Sequence, residues 1–154
     1  MGSVAYISRV RVERIRGPLR RAYLPAEDGP VVFGVHSAVA EHYGVPAGGE
    51  AERATTLDYI VAAAAGWLTG TFGGALEARH VPASEGRLES DATGEIELED
   101  GVLVIKRIHV RYRLRIAPDI DRMIAFCPTS VYSVGTVHGF LLSALMRAIR
   151  GACG

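Results

Sequence analysis

The feature that most constrains the fold is an alternation of charged and apolar residues over residues 87–116. Such a period of two is typical of a β-strand with one dry and one charged face. Glu99-Asp100-Gly101-Val102, in the middle of the stretch, is a hairpin signal. The alternating charges are acidic before this turn and basic after it: Glu89, Asp91, Glu95 and Glu97, then Arg107, His109, Arg111, Arg113 and Arg115. The sequence therefore predicts an antiparallel hairpin of residues 87–99 and 103–115.

The charges also predict the register of this hairpin. A two-residue loop at Asp100-Gly101 would place the acidic residues opposite apolar ones. A three-residue loop, with Gly101 at a bulge, places opposite charges across from each other and gathers the apolar residues on the other face. We therefore predict the three-residue loop. Its pairs are Glu95 with Arg107, Asp91 with Arg111, and Glu89 with Arg113.

This pairing bears on function, because a stripe of four arginines and a histidine is also typical of a nucleic-acid surface. Arginines that face carboxylates leave little positive potential for phosphates. The whole chain has 17 basic and 17 acidic residues and no net charge at pH 7. We expect a solvated, ion-paired face and no nucleic-acid partner.

The region before the central helix is predicted to form a three-stranded antiparallel meander. Its strands are expected over residues 4–15, 19–24 and 31–35, separated by the turn signals Gly17-Pro18 and Asp28-Gly29-Pro30. Residues 36–53 are predicted to be a long loop with a short helical turn. With 154 residues and 49% hydrophobic composition, the chain fits a single α+β domain over residues 1–154.

A central helix is predicted from Thr55 or Thr56, as N-cap, to about Arg79, with Asp58 in its first turn. The uncharged stretch 59–76 has about the length of a short membrane span. Because it is mostly alanine, glycine and threonine, we expect a buried helix and no membrane. A ridge of small residues, Ala62, Gly66, Gly70 and Gly74, recurs every four residues. Glycine weakens a helix, so a close neighbour is expected there: a strand of the same domain or a helix of a second copy.

The last part of the chain is predicted to contain two helices, over residues 118–126 and 140–149. Cys127 precedes Pro128, a residue that fits the first position of a helix. A helix N-cap stabilises a thiolate, the reactive form in peroxide reduction and thiol exchange. The alternative is a buried cysteine that acts as a small apolar residue.

Three segments together resemble the OsmC/Ohr family of osmotically induced and organic hydroperoxide resistance proteins. Residues 56–68 resemble the family's central helix, residues 104–112 resemble its basic strand, and Cys127-Pro128 matches its second cysteine. The resemblance implies antiparallel strands around a long central helix, in an intertwined homodimer with active sites at the interface. It also implies thiol-dependent reduction of organic hydroperoxides, with a peroxidatic cysteine on the central helix, a resolving cysteine at Cys-Pro, and an arginine and a glutamate at the thiolate.

The sequence departs from this pattern at the reactive positions. Trp67 occupies the peroxidatic position, and the family's glutamate falls at Leu57, next to Asp58. Arg16 and Arg20 are candidates for the arginine. We take Cys127, Asp58 and Arg20 as candidate catalytic residues, and Trp67 and Leu57 as pocket residues. Standard two-cysteine chemistry is not expected, so the prediction is a related thiol protein with weakened or lost peroxidase activity.

Two other functions fit the same residues. One is a non-catalytic relative that binds a small apolar molecule in a pocket lined in part by Trp67. The other is a hot-dog-type thioesterase, whose loop and acidic residue Gly48-Gly49-Glu50 and Asp58 resemble. The basic strand and Cys127-Pro128 fit that family less well. The five histidines lack metal-ligand spacing, so no metal or other cofactor is predicted. The N-terminus has no secretory signal pattern, which predicts a cytoplasmic location.

Overall fold

The computed structural model describes residues 2–115. They contain two antiparallel sheets, one short helix and one long helix, so the fold is mixed α+β. The chain divides into two compact units between Tyr59 and Ile60, within the long helix. The helices predicted over 118–126 and 140–149 lie outside the described residues.

The first unit contains a meander of β1 (Arg11–Arg16), β2 (Leu19–Tyr23) and β3 (Val31–Phe33), in the order β1-β2-β3. The predicted three-stranded topology is confirmed. The first strand is shorter than predicted, because residues 3–10 form no strand. Its pairing ends where Arg11 meets Tyr23, the last residue of β2. Although the sequence of this arm is typical of a strand, it has no neighbouring strand among the described residues.

A short helix, α1 (Ser37–His42), lies within the predicted loop. Next to it, residues 51–54 run close beside the end of β3, with Val35 N–H donating to the Ala51 carbonyl at 2.9 Å. Gly34 permits this approach, since a Cβ there would overlap the Ala51 carbonyl oxygen. The buried apolar residues of this unit are Leu19, Ala22, Val35 and Ala40.

The long helix, α2 (Thr56–Glu77), has nearly the predicted bounds. Its N-terminus is capped as predicted, because the Thr55 hydroxyl accepts a hydrogen bond from the Asp58 amide at 3.1 Å. In the second unit, Ala65 and Leu68 of α2 pack on Ile108 and Val110 of the hairpin.

The prediction of a buried helix holds for one face of α2 only. By length and composition α2 could cross a membrane, and 11% of its apolar window is buried. One such helix is weak evidence for a membrane, because the core helix of a soluble protein meets the same criteria.

The hairpin of the second unit consists of β4 (Leu88–Glu99) and β5 (Val102–Leu114). From Leu88 to Glu95 its register is the predicted one, with Glu95 opposite Arg107 and Glu89 opposite Arg113. Nearer the turn the prediction is wrong, because Glu97 pairs with Val104.

The turn itself explains the difference. Asp100 and Gly101 both have positive φ, at 48° and 79°, as a two-residue type I′ turn requires. This tight turn sets the register of the last four pairs, from Ile96–Ile105 to Glu99–Val102. A bulge that leaves Lys106 without a directly opposite residue then restores the charge-matched register. The bulge was predicted at the turn and lies instead within β5.

The charged face of the hairpin is ion-paired, as predicted. Arg107 binds Glu95 and Glu97, while Arg113 binds Glu89 and Asp91. Among the residues that the structure describes, Arg111 has no ion pair, although its Cα lies opposite that of Asp91. Hydrogen bonds from Arg107 and His109 lower the pKa of Glu95.

Candidate functional site

The sequence-predicted site residues lie in different parts of the structure. Leu57 and Asp58 are in the first turn of α2, and Arg20 is on β2. Trp67 lies near the middle of α2, in the second unit. Cys127, the candidate reactive thiol, lies outside the described residues.

Asp58 is the centre of a small hydrogen-bonded cluster. Its Oδ2 accepts from the Thr55 amide at 2.6 Å, from the Thr55 hydroxyl at 2.7 Å, and contacts His36 Nε2 at 2.9 Å. The other ring nitrogen of His36, Nδ1, lies 3.0 Å from the Ser37 hydroxyl. His36 was not among the predicted site residues, and no local motif in the sequence links it to Asp58.

The cluster keeps the Asp58 carboxylate ionised. Partial burial alone would raise the pKa of Asp58, but the bonds from Thr55 and His36 outweigh it and hold the pKa below its usual value. A carboxylate with a lowered pKa and three donors is a poor general base. Its geometry fits an anchor that joins the start of α2 to the β3–α1 connection.

Glu50, part of the thioesterase-like Gly48-Gly49-Glu50, forms an ion pair with Arg16. This contact occupies one of the two arginines considered for the active site. It also gives the Glu50 carboxylate a structural partner in the first unit.

Trp67 is 53% exposed, and Ile60 on the same helix is 48% exposed. The seven-residue spacing places both on one side of α2, next to the side that packs on the hairpin. Exposure of so large an apolar side chain to water is energetically unfavourable. These two side chains thus form an apolar patch that the described residues of the second unit leave exposed.

The glycine ridge lies beside this patch, on the side of α2 opposite Leu68. A Cβ built at Gly66, Gly70 or Gly74 would meet no other atom within 4 Å in the described part of the chain. Gly73, one step to the side, does approach a strand, with Leu88 Cδ2 at 3.4 Å from its Cβ position. Of the two neighbours expected for the ridge, the hairpin of its own unit therefore does not supply the close contact.

An open groove of about 420 Å³ runs beside the ridge, within the range of small-molecule sites. The hydroxyls of Thr69 and Ser90 meet at 2.8 Å, and Glu77 and Ser84 are also hydrogen-bonded. The lining residues are Gly66, Thr69, Gly70, Gly73, Gly74, Glu77, Ala83, Ser84, Leu88 and Ser90. Trp67 is not among them.

Arg20 lies opposite Arg14 in the β1–β2 pair. Its Nε is buried and has no hydrogen-bond partner in the described part of the chain. Asp58 shares the first unit with Arg20, but its partners are Thr55 and His36.

Comparisons with protein-family models, with curated proteins and with solved structures find no match to this chain. Within residues 2–115, no three His, Cys, Asp or Glu side chains converge as metal ligands would. The family resemblance therefore rests on the sequence motifs themselves.

Proposed function

We propose that this chain is a divergent OsmC-like thiol protein in which organic hydroperoxide reduction is weakened or lost. The proposal is carried by Trp67, the residue that the sequence resemblance aligns with the peroxidatic position of the family's central helix. Peroxide reduction begins when a thiolate attacks the peroxide oxygen and forms a sulfenic acid. An indole cannot take that role. Cys127 is the thiol that retains redox reactivity in this proposal.

The homodimer is part of the same proposal. The exposed side of α2 combines Trp67 and Ile60 with glycines that leave the helix backbone accessible. A helix of a second copy can approach such a surface closely, and its apolar side chains would cover it. We expect the dimer in solution at micromolar concentration, and we expect a cytoplasmic location.

A second candidate function is the binding of a small apolar molecule without catalysis. The groove of about 420 Å³ beside the ridge favours it, because its size suits such a ligand. Exposed glycine backbone allows a flat molecule to lie close to the helix.

The reactivity of Cys127 distinguishes the two functions. A thiol protein should show Cys127 alkylation by iodoacetamide that persists below pH 7, the mark of a lowered thiol pKa. Cys127→Ser should abolish this reactivity, while Cys153→Ser, the matched control, should preserve it. An inert Cys127 would contradict the thiol proposal.

The binding function has its own signal. Titration with 2-phenyl-2-propanol, an unreactive aromatic alcohol, should then give a saturable shift of the backbone amide resonances of Thr69 and Ser90, which line the groove. Gly73→Leu would fill the groove and should abolish the change. A titration without saturation would count against the binding function.

A further inference from the structure

The first sheet places two arginines directly opposite each other. Arg14 of β1 pairs with Arg20 of β2, so both side chains project from the same face of the sheet. Like charges in this position destabilise a strand pair. The neighbouring pair carries opposite charges, Glu13 with Arg21.

These two arginines also differ from the other three arginines of the sheet, each of which forms an ion pair. Arg11 and Arg21 form ion pairs with Glu13, and Arg16 pairs with Glu50. Arg11 additionally lies over the Tyr23 ring, 4.3 Å from its centroid. Neither Arg14 nor Arg20 has an ion pair among residues 2–115.

Burial makes the missing partner costly at Arg20. Its Nε–H is buried without an acceptor among residues 2–115, and a buried polar group without a hydrogen bond destabilises a protein. Besides Arg14, the neighbours of Arg20 in the sheet include two apolar residues. Ala22 is 2% exposed, and Phe33, opposite Arg20 on β3, packs edge-on against Tyr59 at 4.9 Å between ring centroids.

We propose that Arg14 and Arg20 form a binding site for a small oxyanion, such as inorganic phosphate or a carboxylate. A planar guanidinium presents parallel N–H donors that match carboxylate and phosphate oxygens. A bound oxyanion would offset the repulsion between the two arginines and accept the hydrogen bond that Arg20 Nε otherwise lacks. The site goes beyond the proposed thiol function: it shares Arg20 with the candidate catalytic residues but requires neither Cys127 nor Trp67.

The direct test is the Arg20 side-chain signal in a ¹H–¹⁵N spectrum of the full chain. Sodium phosphate should shift the Arg20 Nε–H resonance in a saturable manner, whereas sodium chloride at equal ionic strength should not. Sodium acetate in a parallel titration shows whether a carboxylate also binds, and saturation by one of the two anions is sufficient. If sodium chloride shifts the Arg20 Nε–H resonance as much as sodium phosphate and sodium acetate do, the proposed site is refuted.

Two variants on one sheet supply the matched comparison. Arg14→Gln removes an exposed arginine of the pair and should weaken phosphate binding about tenfold or more, as the loss of a charge-assisted contact would. Arg21→Gln removes the same charge from the opposite face and should leave the affinity within about twofold. Equal weakening in both variants would show a general effect of charge and would overturn the proposal. Because Arg14 is exposed, its replacement should leave the fold intact.

Discussion

Replacing Gly70 with alanine should change two quantities in opposite directions, the stability of the isolated subunit and the stability of the dimer. In a helix interior, alanine is more favourable than glycine by about 1 kcal/mol. No described atom lies within 4 Å of the added Cβ, so the substitution adds no clash within the described chain. The isolated subunit should therefore become more stable by about 1 kcal/mol, a rise in Tm of roughly 2–4 °C for a chain of this length.

Assembly should respond in the opposite direction. If the helix of a second copy packs on the ridge, a methyl group at Gly70 occupies the space of its closest contact. Overpacking of this kind costs about 1–3 kcal/mol, at each of the two symmetric positions of a dimer.

Sedimentation velocity over a concentration series, combined with urea unfolding at low concentration, measures both effects. We expect Gly70→Ala to weaken the dimer at least tenfold while it raises the stability of the monomer. Gly73→Ala is the control, because Gly73 faces Leu88 at an ordinary contact distance of 3.4 Å and should leave the dimer unchanged. An unaltered dimer in Gly70→Ala, or a wild-type chain that is monomeric at micromolar concentration, would refute the interface.

Three further substitutions test the fold and the Asp58 cluster. Gly34→Ala should destabilise the first unit by about 2–4 kcal/mol in urea unfolding, because the Ala51 carbonyl oxygen occupies the Cβ position; an unchanged midpoint would contradict that close approach. Leu68→Ala, at a position 5% exposed, should cost about 2–5 kcal/mol, and a loss below 1 kcal/mol would show that this core is not packed as described. The pKa of Asp58 is lower in the folded protein than in the unfolded chain, where it is about 4, so the ionised carboxylate stabilises the fold at pH values above about 4. This contribution is lost as the pH falls through the folded-state pKa. The difference in free energy of unfolding between wild type and Asp58→Asn should accordingly become smaller below about pH 4. A difference that grows as the pH is lowered would contradict this role of Asp58.

The hairpin shows how far the sequence specified the fold. Opposite charges and a shared apolar face were sufficient to predict the pairing of Glu95 with Arg107. They failed near the turn, because the preference of Asp100-Gly101 for a tight loop is a local backbone effect that charge matching does not represent. A single bulge at Lys106 accommodates both constraints. The position of a bulge depends on backbone geometry and on packing, so the side-chain pattern alone did not predict it.

The candidate site was predicted less completely, for a related reason. The capping role of Thr55 and the place of Asp58 in the first turn follow from local sequence. The contact between His36 and Asp58 depends on how the β3–α1 connection folds back, which local patterns do not determine. The opposition of Arg14 and Arg20 depends likewise on the exact pairing of β1 with β2. The sequence predicted both strands but did not predict the register between them.

The most direct test of the proposed function is steady-state turnover of cumene hydroperoxide with a dithiol reductant. Wild type should show no turnover above the uncatalysed rate, or a rate far below that of a two-cysteine enzyme, since Trp67 supplies no peroxidatic thiol. Trp67→Cys tests whether restoring the thiol brings turnover with it. Rapid turnover by the wild-type chain that survives Cys127→Ser would contradict the proposal, because it would place the reactive group elsewhere in the molecule.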